Sequence, residues 1–361
     1  MTRSVLESLA TSPAGFWRMP IPGRGPADTA GLLVNRRAAL VNLVLVLALA
    51  ACAVASLRLG TVSLNTGQVL AALQGAGDPV SRFVVAELRL PRMLAAILTG
   101  AGFALAGCLM QTLARNRLAI PGIIGIDNAA TAFAVASVVS TGITVAPPMM
   151  ALAGAATATA LAFGLAGSSG TRGYRFIIVG LGVGAVAGAM TQFMLSQVAI
   201  DDANAAYPWT VGSLNARDPL ALQILAAGLA LALPLSLALG AGLATLQFPD
   251  SVAIGLGRRP GRIRTGCLML SVLLTGLAVA VAGPVGMVAL IAPEFARALN
   301  RAGHVPLLSS ALLGALVMVL ADLAGRVVLS PLEVPVGIVT ALAGSPYLLW
   351  ILLKRPSGQL Q

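Results

Sequence analysis

The chain has 361 residues, of which 58% are hydrophobic and only 10% are charged, and its net charge is +11. Soluble domains carry roughly 25% charged residues, so this composition excludes an ordinary soluble protein. Apolar runs of about 20 residues, long enough to cross a bilayer, alternate with short gaps that hold most of the arginines. The runs are apolar on all sides rather than alternating, which favours membrane helices over a β-barrel.

In chain order, the pattern predicts an all-α membrane protein with about ten spans. The Gly-, Pro- and Arg-rich residues 1–37 are expected to form a mostly flexible cytoplasmic tail, with an amphipathic helix around 6–17 as an alternative. Residues 38–355 form the predicted transmembrane domain. Its spans are predicted at 38–57, 92–114, 119–141, 147–167, 175–198, 219–246, 264–282, 284–299, 306–328 and 336–353. The segment 283–299 is short and begins Gly-Pro, so we expect it to be tilted or incomplete.

The basic residues indicate the orientation. With the N-terminus inside, 17 of the 23 lysines and arginines fall in inner segments and 6 in outer ones. The positive-inside rule therefore predicts that both termini are cytoplasmic. The same arginines account for the net charge without nucleic-acid binding, because they lie in short loops rather than on a folded basic face.

The residues that usually carry enzyme chemistry are scarce. Cys52, Cys108 and Cys267 lie within predicted spans without metal-ligand spacing, and the only histidine, His304, lies in a loop. We therefore predict no metal, no cofactor and no Ser/His/Asp catalytic set, although this leaves carboxylate-based chemistry open.

Glycines recur in one predicted span at a helical spacing. Gly180, Gly184 and Gly188 are four residues apart, which places them on one helix face where another helix can approach closely. A loose dinucleotide-binding pattern at 182–187 overlaps them, but it has no preceding strand. Helix packing is the favoured interpretation.

Two carboxylates lie within predicted spans, where a charged group needs a partner or a polar pathway. Asp322 precedes Arg326 by four residues and can pair with it along one helix face. Asp127, beside Asn128, could line a pathway or accept hydrogen bonds from a neighbouring helix, and the sequence favours neither.

Several motifs together resemble the FecCD family, the permeases of bacterial ATP-binding-cassette (ABC) importers for ferric siderophores, haem and vitamin B12. They occur in the family's order and cover the chain from about residue 58 to residue 355. The motifs are LRLPRM at 88–93, QTLARNRLAIPGIIG at 111–125, AGPVGMVALIAP at 282–293, ADLAGR at 321–326 and LEVPVGIVTALAGSP at 332–346.

The resemblance implies a type II ABC importer permease in the bacterial cytoplasmic membrane, with a ferric siderophore as the favoured substrate and haem or cobalamin as alternatives. The chain has no nucleotide-binding loop, so ATP hydrolysis is expected in a separate cytoplasmic ABC ATPase. An extracytoplasmic substrate-binding protein and a second permease subunit, identical or paralogous, are the other implied partners. An ion-gradient-driven secondary transporter is the alternative from another class.

The resemblance also implies two contact sites. In the loop 247–264 it places the ATPase-coupling residues Asp250, Ala253, Gly255, Leu256 and Gly257; the alternative is a basic loop that only fixes topology. At the outer face it implies that Arg89, Arg92 and Arg326 bind acidic residues of the binding protein. The alternative is local: Arg89 with Glu87, Arg326 with Asp322, and Arg92 with lipid headgroups.

The chain departs from the family pattern at two positions on the predicted cytoplasmic side. Glu294 follows Pro293 where the family usually has histidine, and Arg117 follows Asn116 where it usually has proline. These two departures bear on the inner gate of the pathway.

Overall fold

A computed structural model describes residues 16–20, 31–60, 62–140, 145–166, 174–215, 218–300, 305–328, 330 and 332–354. Two short strands, β1 (Phe16–Pro20) and β2 (Gly31–Asn35), pair antiparallel, with Phe16 opposite Asn35. The N-terminal segment predicted to be flexible therefore contains a two-stranded sheet. Most of the alternative amphipathic helix at 6–17 lies outside the described residues, as does His304.

The other regular elements of the described chain are helices, as predicted. In chain order the helices are α1 (Arg36–Arg58), α2 (Thr66–Leu73), α3 (Pro79–Phe83), α4 (Leu90–Leu113), α5 (Ile126–Val139), α6 (Pro147–Ala166), α7 (Tyr174–Ser196), α8 (Ile200–Val211), α9 (Pro219–Thr245), α10 (Asp250–Gly255), α11 (Pro260–Ala282), α12 (Gly286–Asn300), α13 (Leu307–Val327) and α14 (Val336–Lys354). A π-helical segment, Val84–Arg89, joins α3 to α4, and a 3₁₀ turn, Pro121–Ile124, precedes α5.

Each predicted span coincides with a helix, but the helices differ in length. Within the described residues, seven helices are long and apolar enough to cross a membrane, whereas those at Ile126–Val139 and Val336–Trp350 are shorter apolar helices. The 15 residues of α12 extend about 22 Å, less than the roughly 30 Å of a bilayer core. The short 283–299 segment is thus confirmed, while the count of ten spans stays a prediction.

Polar residues set several helix starts. Asn35 accepts hydrogen bonds from the backbone N–H groups of Arg37 and Ala38, and Asp218 accepts one from Leu220. Such caps satisfy backbone donors that have no partner inside the helix, and each stabilises a helix by about 1 kcal/mol. They place the first turns of α1 and α9 where the hydropathy pattern predicts them.

The core of the protein is α4, which packs against α11, α12 and α13. Most of α4 and α11 is buried, whereas α1 and α9 expose apolar side chains along most of their length. The backbones of α4 and α13 nearly touch where Gly100 meets Gly314: a Cβ added to Gly100 would lie 2.3 Å from the Gly314 carbonyl oxygen. Only glycine allows helices to approach this closely.

The glycine face predicted on α7 is also a packing face. A Cβ on Gly125 would lie 2.7 Å from both the carbonyl oxygen of Gly180 and the nitrogen of Gly184. The packing interpretation of this glycine stripe is therefore confirmed. The three cysteines lie in α1, α4 and α11, as predicted, and are free thiols.

Three helices, α2, α3 and α8, lie in stretches that were predicted as outer loops. α8 occupies the stretch 200–211 that hydropathy assigns to an outer loop, and its end meets the break between α11 and α12. Ser213 donates its N–H to the Ala282 carbonyl over 2.8 Å, and Gly337 donates to the Gly212 carbonyl over 3.1 Å. These bonds satisfy backbone groups that the broken helices leave unpaired.

Candidate functional site

Arg89 closes the end of α1. Its guanidinium donates to the carbonyl oxygens of Leu57 at 2.7 Å, Arg58 at 3.0 Å and Val62. A cation at a helix C-terminus satisfies unpaired carbonyls and complements the helix dipole. Arg89 is 6% exposed, and its partners are these backbone carbonyls rather than Glu87, the local partner named as the alternative to docking.

Arg92 and Arg326 share one buried carboxylate. Asp322 is 2% exposed and accepts from Arg92 Nε at 2.8 Å and from Arg326 Nε at 3.0 Å. Arg92 also donates to Glu333 at 2.7 Å, and Arg326 donates to the Ser56 hydroxyl at 2.7 Å. The predicted Asp322–Arg326 pair is confirmed, and Arg92, for which contact with headgroups alone was the alternative to docking, instead pairs with two carboxylates of the chain.

We name Arg89, Arg92, Asp322, Arg326 and Glu333 the outer arginine cluster, after its predicted side of the membrane. It ties α1, α4 and α13 to the segment before α14. Its docking role stays a prediction. Asp322 and Glu333 hold Arg92 through Nε and Nη1, so a carboxylate from outside would bind its remaining N–H groups or replace one of these two partners. Glu333 is the accessible one, with 43% of its side chain exposed.

On the predicted inner side, α10 is anchored to the chain from one face. Asp250 accepts two hydrogen bonds from Arg264, at 2.8 Å and 2.7 Å. Ala253 is fully buried, so its methyl group packs inside this chain and helps to anchor α10; its predicted coupling role stays a prediction. The short helix predicted after Pro249 is confirmed.

The other face of α10 is open. No atom would lie within 4 Å of a Cβ added to Gly255 or Gly257. Four apolar side chains around it are 44–62% exposed: Phe248, Val252, Ile254 and Leu256. A small apolar ridge on an anchored helix suits insertion into a partner's groove.

The proline inside α12 creates a second inner feature. Pro293 has no N–H, so the carbonyl of Ala289 loses its helical partner. Gln111 of α4 supplies one, donating to Ala289 at 3.3 Å and to Leu290 at 3.2 Å. A Cβ on Gly107 would lie 1.9 Å from the Ala289 oxygen, so the α4 backbone presses against α12 one turn before Gln111.

The two departures from the family pattern contact each other. Arg117 Nη1 donates to Glu294 Oε1 over 3.0 Å, and Arg297 Nε donates to the other carboxylate oxygen over 3.3 Å. Arg297 also donates to the side-chain oxygen of Gln111. Glu294 is 7% exposed, and such a buried carboxylate needs partners of this kind.

Asp127 and Asn128 lie at the start of α5. Asn128 donates to the Gly184 carbonyl over 3.0 Å, which supports packing against α7. The Asp127 carboxylate would lie 2.5 Å from a Cβ on Gly122, and within the described residues its Oδ1 has no hydrogen-bond donor. The choice between pathway and packing for Asp127 stays open.

Sequence reasoning missed Gln111, Arg115, Arg264 and Glu333 as members of these sites. One signal was available for Gln111: a proline within a predicted span frees a carbonyl that needs a donor, and Gln111 is a polar residue within an apolar span. For Arg115, Arg264 and Glu333 no such signal exists, because tertiary packing alone decides which residues they contact.

Three comparisons place the chain among known proteins. Residues 46–354 match the model of the FecCD transport family. The chain is 35% identical to the Fe(3+)-citrate import system permease protein YfmE of Bacillus subtilis (strain 168), over 88% of this chain and 96% of the relative. It is 34% identical to the ferric enterobactin transport system permease protein FepG of Escherichia coli (strain K12), over 90% of this chain and 98% of the relative.

The fold is similar to that of a solved protein. A structure described as an inward-facing conformation of a metal-chelate type ABC transporter superposes with a TM-score of 0.76 at 26% sequence identity. The match covers 88% of this chain and 100% of that one.

The outer arginine cluster generates a stability prediction. Replacing Asp322 with asparagine leaves two buried arginines short of a counter-charge, so we expect the free energy of unfolding to fall by about 3–5 kcal/mol. Glu333→Gln, at an exposed position of the same cluster, should cost no more than about 1 kcal/mol. Unfolding of the purified protein in mixed detergent micelles measures both, and equal small losses would contradict a buried, charge-balanced cluster.

Proposed function

The chain belongs to the FecCD transport family, and we propose that it is a permease subunit of an ABC importer that carries a ferric siderophore into the cell. The named relatives are permeases of Fe(3+)-citrate and ferric enterobactin systems, which favours a ferric chelate over haem or cobalamin. Family membership also sets aside the ion-gradient-driven carrier. The transported iron is cargo, not a resident cofactor.

The observation that carries the proposal is the geometry of α10. Asp250 and Ala253 fix this six-residue helix to the chain, while Ile254 and Leu256 project outward at 62% exposure each. A rigid apolar tip can transmit a movement from the ATPase to this chain or from this chain to the ATPase, which a mobile basic loop could not do. We infer that α10 docks in a groove of a separate cytoplasmic ATPase, as helix-in-groove contacts do.

The remaining partners are proposed from the same assignment. A binding protein would dock on the outer arginine cluster, with its carboxylates displacing Glu333 from Arg92; Arg forks suit such bidentate contacts. A second permease subunit, identical or paralogous, would complete the pathway. The membrane is proposed to be the bacterial cytoplasmic membrane, with both termini in the cytoplasm.

ATPase docking is tested with a charged residue at the tip of α10. Leu256→Asp introduces an unpaired carboxylate into the proposed apolar contact, so co-purification of the ATPase with the tagged chain should fall at least about tenfold. The matched control is Leu332→Asp, at a leucine 73% exposed near the other end of the protein, which should retain the ATPase. Retention by both variants would remove α10 from the contact.

The substrate class is tested by uptake. Cells with and without the chain, supplied with radioactive iron as citrate, hydroxamate or catecholate chelates and with labelled haem or cobalamin, should differ for at least one ferric chelate. A difference confined to haem or cobalamin would overturn the siderophore assignment while leaving the ABC importer in place.

Orientation is tested by thiol labelling in a variant whose three native cysteines are replaced by alanine. Asn204→Cys in α8 should react with an impermeant maleimide in spheroplasts. Gly255→Cys in α10 should react only after permeabilisation; both positions are exposed on the surface of the protein, and Gly255 leaves room for a side chain. The reverse pattern would invert the proposed topology.

A further inference from the structure

The loop after α4 carries two arginines that bind different parts of the chain. Arg115 Nε donates to the Leu246 carbonyl over 2.7 Å, and its Nη2 donates to the Phe248 carbonyl, in the segment that leads into α10. Nη2 also lies 4.0 Å from the carboxylate of Asp250, the first residue of α10. Two residues further on, Arg117 binds Glu294 in α12. A single short loop therefore joins α10 to α12.

The loop itself is a stiff turn. Arg115 has φ +50°, and it is the only non-glycine residue of the described chain with positive φ. Asn116 donates its N–H to the Gln111 carbonyl over 3.1 Å, and the Asn116 side chain accepts from the N–H of Leu118 over 2.9 Å. Together with the bond from the Arg115 N–H to the Thr112 carbonyl over 3.3 Å, this is the Schellman arrangement that ends many helices, with the left-handed residue just after the last turn. Arg115 and Arg117 are thus fixed relative to each other.

The loop contacts α12 beside Pro293, where the hydrogen-bond ladder of the helix is interrupted. Pro293 interrupts the hydrogen-bond ladder of α12, and proline positions are where helices bend. Glu294 is the next residue, and Arg117 and Arg297 hold its two carboxylate oxygens from different directions. A movement of Arg117 would therefore move Glu294, which lies directly after the proline break in α12.

We propose that Arg115 and Arg117 form a strap that transmits displacement of α10 to the proline break of α12. When α10 moves, Arg115 moves with the carbonyls of Leu246 and Phe248, the stiff turn carries the motion, and Arg117 pulls on Glu294. Both arginines are positioning residues, since they act through α10 and α12. The direction of transmission from the ATPase rests on the proposed function, but the mechanical link does not.

The link is tested by hydrogen–deuterium exchange on the full-length chain in nanodiscs, without substrate, nucleotide or partner. Arg117→Gln removes one charge-assisted contact to α12, and we expect exchange at 286–300 to rise about two- to fivefold. The strap predicts that exchange at 250–256 rises as well, although Arg117 donates to Glu294 and not to α10. Arg115→Gln should produce the same two changes.

The double variant separates a strap from two independent contacts. Because the two arginines act in series, Arg115→Gln with Arg117→Gln should raise exchange no more than the larger single effect, whereas independent contacts would add in free energy. Arg58→Gln removes an exposed arginine elsewhere and should change neither segment. Changes confined to the segment nearest each variant, or effects that multiply in the double variant, would overturn the strap.

The test also distinguishes failure of the strap from failure of the proposed function. Exchange is measured on the chain alone. If each variant changed exchange only in its nearest segment, the strap would be overturned, while the proposed ATPase contact would still be supported by co-purification. If exchange is coupled but no ATPase co-purifies with the chain, the strap is retained and only the proposed ATPase contact is overturned.

Discussion

The contact between the backbones of α4 and α13 at Gly100 and Gly314 is the constraint on which the other sites depend. In a bilayer, apolar side chains gain little by leaving lipid for a neighbouring helix, so close backbone packing must hold helices together. With α4 pressed against α13 there, and against α12 at Gly107, its two ends reach fixed partners. Arg92 meets Asp322 at one end, and Gln111 meets the broken turn of α12 at the other.

The polar groups of the two ends follow a common rule. Desolvating charges offsets much of their mutual attraction, so buried ion pairs add little net stability, while an unpaired member is strongly unfavourable. Asp322 and Glu294 are each held by two arginines from different elements. Such carboxylates therefore specify which helices meet and in what register. α10 is anchored in a related way, since one arginine, Arg264, donates to both carboxylate oxygens of Asp250.

Much of the fold could be predicted because its signals are local. Hydropathy located the long apolar helices, the four-residue spacing of Gly180, Gly184 and Gly188 indicated a packing face, and the four-residue spacing of Asp322 and Arg326 indicated their pair. Glu294 and Arg117 stood out as departures, but not as partners. They are separated by 177 positions, and nothing local reports a contact at that distance.

The buried face of α10, the helix α8 and the two strands were not predicted, for physical reasons. A helix of six residues is too short to display an amphipathic period, so the buried face of α10 that contains Ala253 could not be read. α8 carries Asp201 and Asp202, and its polarity concealed a helix. The strands Phe16–Pro20 and Gly31–Asn35 were hidden by the Gly, Pro and Arg content of the segment that contains them.

The central claim is that the glycine contact between α4 and α13 holds the structure together, and comparison of two Gly→Ala variants tests it directly. A Cβ at Gly182 would meet no atom within 4 Å, so Gly182→Ala should raise the free energy of unfolding by up to about 1 kcal/mol through helix propensity. Gly100→Ala would place its methyl group against the Gly314 carbonyl. Overpacking of this kind should lower the free energy of unfolding by about 1–3 kcal/mol or more. Unfolding in mixed micelles gives the sign of each change. Opposite signs are predicted, and stabilisation by both variants would contradict the claim.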